Sequence, residues 1–316
     1  KTPEEHLGDI RKSIANAEQM GIRVNVYLED WSNGMRNSKD YVHFMISNLI
    51  HENVDRIMLP DTLGILDPDE TYDFCREMIE TYPDANFDYH AHNDYDLAIA
   101  NVFHAIKAGM RCVHTTINGL GERAGNAPLS SVIATIKDHL KMKTHVNEGQ
   151  LNKVSKLVES FSGIRIPTNK PLVGEFVFTQ CSGIHADGDN KNNLYFNDLL
   201  PERFGRIRQY ALGKTSGKAN IKKNLEILGI ELDPDSLKKV TQRIIELGDL
   251  KETVTSDELP YIVADALEND LIEQKIRVVN FSVNHTMGLR PVANVSLEID
   301  GKIYEEFSDG DGQYDA

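Results

Sequence analysis

Apolar and polar positions in the first half of the chain repeat with two different periods. Segments in which apolar residues recur every three or four positions predict amphipathic helices over residues 2–18, 38–51, 67–81, 95–107 and 128–140. Nearly apolar runs between these segments predict buried strands at residues 23–29, 56–62, 86–92 and 112–118. Strands that alternate with helices predict a parallel sheet with helices packed outside it, which is an α/β fold.

The ends of these predicted strands are evenly spaced and polar. Glu29, Thr62, His92 and Asn118 mark them at intervals of 33, 30 and 26 residues, close to the length of one strand–helix unit. In a (β/α)8 TIM barrel the chemistry lies at the carboxyl ends of the strands, whereas a doubly wound sheet gathers ligands at one switch point. The pattern therefore favours half of a barrel. Because a barrel closes on eight strands, either the chain is the later portion of a longer protein or another element covers its open edges.

The pattern changes after residue 163. A mixed segment with a polar loop comes first, and the next segment predicts helices at residues 217–228, 234–247 and 257–269. From residue 275 the period becomes two, which predicts antiparallel strands. The predicted divisions are a barrel portion, a mixed subdomain, a helical subdomain and a β segment, at residues 1–163, 164–205, 206–272 and 273–316.

Composition limits the classes of function. The chain has 316 residues, a formal net charge of −15 and 40% hydrophobic residues, as expected of a folded globular protein. The acidic balance argues against a general nucleic-acid binder, and no apolar run approaches the roughly 20 residues needed to span a membrane. The first residues lack the pattern of a secretory signal. Cys75, Cys112 and Cys181 are widely spaced, so neither a disulfide framework nor a thiolate zinc cluster is expected, and the expected compartment is a reducing cytoplasm.

His90 and His92 are the first candidates for chemistry. Two positions apart on a strand, their side chains point to the same face, where imidazoles suit Zn²⁺, Mn²⁺ or Fe²⁺. The alternative is a pair of ordinary strand histidines. The glycine-rich stretch 118–126 follows the next strand. It is either a tight structural loop or, beside the histidines, the carrier of Asn126 as an oxygen ligand or supporting group.

Glu29 and His185 carry candidate chemistry with simpler alternatives. Glu29 ends the first strand, where a carboxylate can act as a general base or brace a loop. His185 lies in the polar loop 183–197, which lacks the glycine and the terminal glutamate of a calcium loop. The spacing of the loop residues alone predicts that His185 is a solvent-facing histidine.

These motifs together closely resemble the family of 2-isopropylmalate, citramalate and homocitrate synthases. The resemblance rests on HAHND followed by NGLGERAGN, with LPDT upstream and GIHADG downstream, and it runs through essentially the whole chain. YLEDWSNG and HADGDNKNNLY resemble the spirochaete-type isopropylmalate and citramalate synthases in particular. The resemblance implies a homodimeric acyltransferase on a TIM barrel, of which residues 1–163 would be strands five to eight. It would condense acetyl-CoA with a 2-oxo acid by a Claisen-type addition and then hydrolyse the thioester.

The resemblance also implies roles for particular residues. His90, His92 and Asn126 match the site of a divalent metal, which would be Zn²⁺, Mn²⁺ or Mg²⁺. Thr62 matches the threonine that binds the carboxylate of the 2-oxo acid, and Tyr27 lines the pocket for the side chain of that acid.

Further residues match the acetyl-CoA half of the reaction. Glu29 and His185 match the proposed catalytic base pair, in which the histidine comes from the partner subunit. Asp187, Asn193, Leu194 and Tyr195 lie where acetyl-CoA is bound. Arg203, Arg206, Arg208, Lys214 and Lys218 supply local positive charge that either meets the phosphates of CoA or forms a solvated basic face. Residues 273–316 match the start of a regulatory domain that senses an end-product amino acid.

The sequence also departs from this family. The family's opening strand carries an Arg-Asp-Gly segment with a metal-binding aspartate, and no such segment occurs here. The chain is therefore expected to be part of a longer synthase and to be catalytically incomplete on its own.

Two other classes of protein stay open. One is an acyl-CoA lyase of the same barrel superfamily, which would have a cysteine in the glycine-rich loop, and the other is a non-catalytic binding or regulatory remnant.

The identity of the acceptor rests on the broader family. A 2-isopropylmalate synthase of leucine biosynthesis, with 3-methyl-2-oxobutanoate as acceptor, is the first expectation. A citramalate synthase of the isoleucine pathway, with pyruvate as acceptor, is the alternative. Tyr27 does not separate the two, because its ring can close a small pocket or border a larger one.

Overall fold

The structure, a computed structural model, describes most of the chain. The described residues are 1–180, 197–213, 217–250, 254, 258–267, 276–286 and 289–311. The chain divides into two compact units, and each is described by itself below. The first comprises Lys1–Thr179 with Phe196–Gln209, and the second comprises Gln180–Tyr195 with Tyr210–Ala316.

The first unit is built around a parallel sheet. Its strands lie side by side in sequence order: β1 (Asn25–Tyr27), β2 (Arg56–Asp61), β3 (Phe87–Ala91) and β4 (Cys112–His114). The register pairs His90 with Pro60 on one side and with His114 on the other. Each step between parallel neighbours needs a crossover, which the alternating helices provide. The predicted α/β class and parallel sheet are confirmed, and the assignment to the second half of a TIM barrel stays a prediction.

Helices lie before, between and after these strands, and those between them provide the crossovers. They are α1 (Pro3–Gln19), α2 (Trp31–Asn37), α3 (Lys39–Leu49), α4 (Pro68–Thr81), α5 (Ala98–Ala108), α6 (Leu129–His139) and α7 (Leu151–Ser162). Thr2 and Asp67 close capping boxes at the starts of α1 and α4, and a proline follows each of them, so these two helices begin where the sequence predicts. α1, α3, α4, α5 and α6 confirm the predicted helices, whereas α2 and α7 were not predicted.

The two faces of the sheet differ in character. Leu59, Tyr89 and Ala91 are fully buried in the core between the strands and the helices. Because side chains alternate along a strand, Asp88 and His90 occupy the opposite face. The sheet therefore has an apolar face that stabilises the fold and a polar face that is free for chemistry.

The remainder of the first unit packs around α6 and α7. A small cluster of Ala134, Leu151, Leu172, Val173 and Phe204 is buried there. Short 3₁₀ turns occur at Ile117–Gly119, Glu148–Gln150 and Pro201–Phe204. A two-stranded sheet pairs β5 (Thr179–Gln180) with β6 (Gln209–Tyr210).

The second unit contains helices and an antiparallel sheet. The helices are α8 (Lys218–Ile227), α9 (Pro234–Asp249) and α10 (Leu259–Ala266), and the strands are β7 (Ile276–Asn284), β8 (Val292–Ile299) and β9 (Lys302–Asp309). Ile221, Ile244 and Leu259 are fully buried at the centre of the helical cluster. These elements lie where the sequence predicts them, while the four-part domain division stays a prediction. Among the described residues, no helix is long and apolar enough to cross a membrane.

Candidate active site

The predicted metal ligands come together at the carboxyl end of β3. His92 and Asn126 form an isolated antiparallel bridge, and the ring centres of His90 and His92 are 5.0 Å apart. Two backbone hydrogen bonds hold the glycine-rich loop along this strand end: Ala127 donates to the carbonyl of Ala91 at 3.2 Å, and Asn93 donates to that of Gly125 at 3.0 Å. The structure thus places Asn126 beside His92, whose ring adjoins that of His90.

Three buried polar atoms at this point have no hydrogen-bond partner among the described residues. They are Nδ1 of His90, Nδ1 of His92 and Oδ1 of Asn126. Leaving such atoms unpaired costs about 1–3 kcal/mol each, so their concentration in one place needs an explanation. Imidazole nitrogen and amide oxygen are both ligands of divalent cations, so these residues fit a metal site.

The protonation state of His90 also suits a ligand. Burial, followed by the neighbouring His92 and His114, lowers its pKa to about 4. The ring is therefore neutral near pH 7, which is the form that binds metals.

Glycines shape the loop that carries Asn126. Gly125 has φ +82°, and a Cβ there would strike the carbonyl oxygen of Gly119, while a Cβ on Gly121 would strike the side-chain amide of Asn126. That amide donates to the carbonyl of Leu120 at 2.9 Å, and Oδ1 of Asn126 has no partner in the part of the chain that the structure describes. The loop is thus both a tight turn and the support of a candidate ligand.

Arg123 fastens this loop to the neighbouring strand ends. Its guanidinium binds Asp94 at 2.7 Å and the carbonyl oxygen of Thr62 at 2.6 Å, whereas Glu122 is 3.6 Å away. The pairing of Arg123 with Asp94 lowers the pKa of that carboxyl. Arg123 therefore stabilises the loop mainly through its contacts with Asp94 and Thr62, and less through Glu122.

Tyr27, Thr62 and Glu29 lie at the ends of β1 and β2. Tyr27 is 48% exposed, and its ring meets that of His90 edge-on at 6.2 Å. The Thr62 hydroxyl accepts a hydrogen bond from the backbone of Asp30 at 2.9 Å, so its own proton stays free to donate. Glu29 is exposed in the turn after β1. The structure thus places Tyr27 beside His90, places Thr62 directly after Asp61, whose carbonyl accepts from the backbone of His92, and leaves Glu29 open to solvent.

The remaining predicted site residues lie outside the described residues. They are His185, Asp187, Asn193, Leu194 and Tyr195. Their roles in base catalysis and acetyl-CoA binding stay predictions.

A second polar network, which the sequence analysis did not predict, lies on the polar face of the sheet. Nδ1 of His114 is 3.0 Å from the Tyr27 hydroxyl, and Nε2 of His114 is 3.2 Å from Asp88. Arg56 binds the other oxygen of Asp88 at 2.5 Å. The signal was present, because polar residues alternate with apolar ones on strands that otherwise read as buried.

Asp88, Cys112 and His114 are the one set of three potential metal ligands that the described residues bring within 4.8 Å of one another. Two features argue against a metal there. Arg56 already occupies the Asp88 carboxylate, and burial, followed by the hydrogen bond with Asp88, raises the pKa of the Cys112 thiol, which opposes the thiolate form. These residues therefore form an ion-paired network.

Two of the arginines that could meet CoA phosphates serve the structure of the first unit. Arg203 binds Asp138 at 2.8 Å and Glu148 at 2.5 Å and is mostly buried. Arg206 donates to the carbonyl oxygens of Gly174 and Glu175. Both guanidiniums are thus engaged within the protein.

Comparison with known proteins identifies the class. The model of the HMGL-like family matches residues 1–158, and the model described as "Homocitrate synthase post-HMGL domain-like" matches residues 172–252. The chain belongs to the HMGL-like family. Its similarity to the 2-isopropylmalate, citramalate and homocitrate synthases, predicted from the motifs, is confirmed by curated relatives.

Three of these relatives show the level of similarity. The chain is 34% identical to a protein of Methanopyrus kandleri that is named as an (R)-citramalate synthase, and the match covers 99% of this chain and 61% of that protein. It is 35% identical to the 2-isopropylmalate synthase of Sulfurisphaera tokodaii, with 88% and 70% covered. It is 34% identical to the homocitrate synthase of Sulfolobus acidocaldarius, with 80% and 56% covered. The chain thus spans about three fifths of the first of these relatives.

Proposed function

We propose that this chain carries part of the active site of a metal-dependent synthase that condenses acetyl-CoA with a 2-oxo acid. The observation that supports this proposal most strongly is the convergence of the unpaired atoms of His90, His92 and Asn126 at one strand end. The relatives named as synthases of this type add support.

His90, His92 and Asn126 would hold the divalent cation, which is Zn²⁺, Mn²⁺ or Mg²⁺. When bound, the cation supplies Lewis-acid polarisation of the acceptor's oxo group. Asn126 donates a hydrogen bond to Leu120 and forms a backbone bridge with His92. These contacts orient the metal-binding side chains before the cation binds.

Thr62 and Tyr27 would bind the acceptor. Because the Thr62 hydroxyl already accepts from Asp30, its proton points to a different partner, and the carboxylate of the 2-oxo acid is a suitable one. The half-exposed ring of Tyr27 stands beside His90 and would border the side chain of the acid.

Glu29 and His185 would remove and hold the proton of the acetyl methyl group. The thioester α-proton is weakly acidic, so a carboxylate close to the methyl and a donor close to the developing enolate oxygen are both needed. Glu29 is open to solvent on the strand-end side, where an acetyl group can approach it. We propose that His185 comes from the partner in a homodimer and that acetyl-CoA lies against Asp187, Asn193, Leu194 and Tyr195.

The proposed product is 2-isopropylmalate, formed from 3-methyl-2-oxobutanoate in leucine biosynthesis, and citramalate from pyruvate is the alternative. A cytoplasmic location and an end-product amino-acid effector at residues 273–316 belong to the same proposal. The lyase alternative is weakened by the loop GLGERAGN, which has no cysteine. The non-catalytic alternative predicts no turnover at all.

The test is the release of CoA by the full-length protein with three acceptors, namely pyruvate, 3-methyl-2-oxobutanoate and 2-oxoglutarate. We expect the highest kcat/KM with 3-methyl-2-oxobutanoate. Each of the two methylene-sized differences in an apolar pocket gives roughly 10-fold to 200-fold discrimination, so the preference should be clear and pyruvate should be a slower substrate. A higher kcat/KM with pyruvate would replace the product but keep the reaction class. No CoA release with any acceptor would refute the proposed function.

A further inference from the structure

The polar network of Arg56, Asp88, His114 and Tyr27 is not explained by metal binding, and it ends at the residue proposed to border the acceptor. It crosses the polar face of the sheet from β2 through β3 and β4 to the end of β1. Asp88 is 3% exposed, so its charge is buried and must be paired. Arg56 supplies that pair at 2.5 Å.

The direction of each hydrogen bond follows from this pairing. A carboxylate can only accept, so Nε2 of His114 donates its proton to Asp88. We assign His114 the neutral imidazole, in which the other nitrogen, Nδ1, is an acceptor and the Tyr27 hydroxyl donates to it across 3.0 Å. The proton of Tyr27 is then engaged with His114, and the lone pairs of its oxygen remain for other partners.

This hydrogen bond matters because the described residues give the Tyr27 side chain few other contacts. The residue ends a strand of three residues at the edge of the sheet, and it is 48% exposed. Among the described residues, its contacts with other aromatic rings are those with His90 and His114, at 6.2 and 5.9 Å between centres. Without the bond to His114, the ring would gain access to other rotamers.

We propose that His114 is a positioning residue, held by Asp88 and Arg56, that fixes the Tyr27 ring as a wall of the acceptor pocket and so sets selectivity among 2-oxo acids of different side-chain length. This rests on the proposed function. The position of the pocket wall then depends on the ion pair between Arg56 and the buried Asp88, which holds His114 in place.

Two substitutions at His114 separate its two nitrogens. His114→Gln keeps a donor near the Nε2 position, facing Asp88, and removes the acceptor for Tyr27, whereas His114→Asn keeps an amide oxygen near the Nδ1 position. We expect His114→Gln to raise KM for the 2-oxo acid about fivefold, the effect of one hydrogen bond, with a much smaller change in kcat. His114→Asn should recover part of that loss. His51→Gln, at an exposed position after α3, is the matched control.

The decisive measurement combines His114→Gln with Tyr27→Phe. If His114 acts through Tyr27, the double variant should have the same selectivity ratio, kcat/KM for 3-methyl-2-oxobutanoate over pyruvate, as Tyr27→Phe alone. Additive effects on this ratio would overturn the proposal. An equal rise of KM for acetyl-CoA together with a lower midpoint of thermal unfolding would also overturn it, because it would indicate general damage.

A second readout does not depend on activity. Nitrogen-15 NMR of the histidine side chains should show His114 protonated at Nε2, and Tyr27→Phe should shift the Nδ1 resonance toward that of an unbonded acceptor. If no 2-oxo acid gives CoA release, the proposed function fails and selectivity with it, whereas the NMR result still decides whether His114 holds Tyr27. A proton on Nδ1, or no response to Tyr27→Phe, would refute the positioning role.

Discussion

The hydroxyl of Tyr27 lies 3.0 Å from Nδ1 of His114 although two strands separate β1 from β4 in the sheet. In a flat sheet, strands three positions apart are about 14 Å from each other. Contact between these two side chains therefore indicates that the polar face is concave. Such curvature is typical of the wall of a barrel.

The first prediction concerns the metal. His92→Ala removes one of the imidazoles beside Asn126, so the full-length protein should lose most of its bound divalent metal and its CoA-releasing activity. Losing one ligand typically lowers affinity well beyond the 10-fold to 100-fold effect of losing a supporting group. Metal content by mass spectrometry after gel filtration, measured beside activity, is the readout.

His104→Ala is the matched control for this prediction. His104 lies on α5, where Nδ1 contacts the carbonyl of Ala100 at 2.9 Å. This variant should keep its metal content. Equal metal content in His92→Ala and the unchanged protein would show that the unpaired atoms at β3 have another purpose.

The second prediction concerns the loop that presents Asn126. Gly125→Ala places a side chain at φ +82° against the carbonyl of Gly119, so the loop must move. Strain of this kind costs about 1–3 kcal/mol, and the midpoint of thermal unfolding should fall by several degrees. Metal affinity should fall as well, because Asn126 follows Gly125 directly.

Gly8→Ala serves as the opposite control. Gly8 lies inside α1 with open space where a Cβ would be, so alanine there should stabilise the helix by about 0.5–1 kcal/mol. A Gly125→Ala protein with the same unfolding midpoint and metal content as the unchanged protein would contradict the assigned role of the loop.

Most elements of the fold could be predicted, because the capping residues and the spacing of apolar residues indicate the same boundaries. Thr2 and Asp67 mark the starts of α1 and α4, and the apolar spacing along α5 gives its length. α2 has seven residues, which is too few for an apolar period to be recognised. It starts after Asp30, whose φ of 57° is set by tertiary contacts and not by the local sequence. α7, in contrast, has a regular helical period of apolar residues in its sequence.

The site was predictable only where one segment holds several of its members. His90 and His92 share a strand, and the glycines around Asn126 form a recognisable motif. The contact between Tyr27 and His114 joins residues 87 positions apart and depends on the curvature of the sheet, which no local pattern specifies. The burial of Asp88, which makes Arg56 necessary, likewise follows from packing rather than from spacing.

The third prediction concerns the buried ion pair of the first unit and its pH dependence. Burial opposes the ionisation of Glu148, but hydrogen bonds from Arg203 and Lys137 outweigh it and lower its pKa below the usual value. Arg203→Met removes the guanidinium that pairs with both Glu148 and Asp138 and leaves the buried Glu148 with Lys137 alone, so the free energy of unfolding near pH 7 should fall by about 3 kcal/mol. Denaturant unfolding is the measurement.

The same ion pair predicts the shape of the stability profile. Because the pKa of Glu148 is lower in the folded than in the unfolded chain, the stabilisation is complete above about pH 4.3 and is lost as the pH falls through the folded value. The stability advantage of the unchanged protein over Arg203→Met should therefore shrink in acid. Arg23→Met, at the exposed pair with Asp55, should cost less than about 1 kcal/mol at any pH. A constant difference between the two proteins from pH 7 to pH 3 would contradict the assignment.

The last prediction separates the two hydrogen bonds of the Thr62 hydroxyl. Its oxygen accepts from the backbone of Asp30 at 2.9 Å, and its proton is proposed to bind the carboxylate of the 2-oxo acid. Thr62→Val removes both bonds, while Thr62→Ser keeps both and loses only a methyl group. We expect KM for the 2-oxo acid to rise at least 10-fold in Thr62→Val, since a hydrogen bond to a charged group is worth about 1.5–3 kcal/mol, and to stay within about threefold in Thr62→Ser. An ester of the same acid, which lacks the carboxylate charge, should be a poor acceptor for all three proteins and should be little affected by Thr62→Val. If the valine variant weakened the acid and the ester alike, Thr62 would act by holding the turn at Asp30, and its role toward the carboxylate would be wrong.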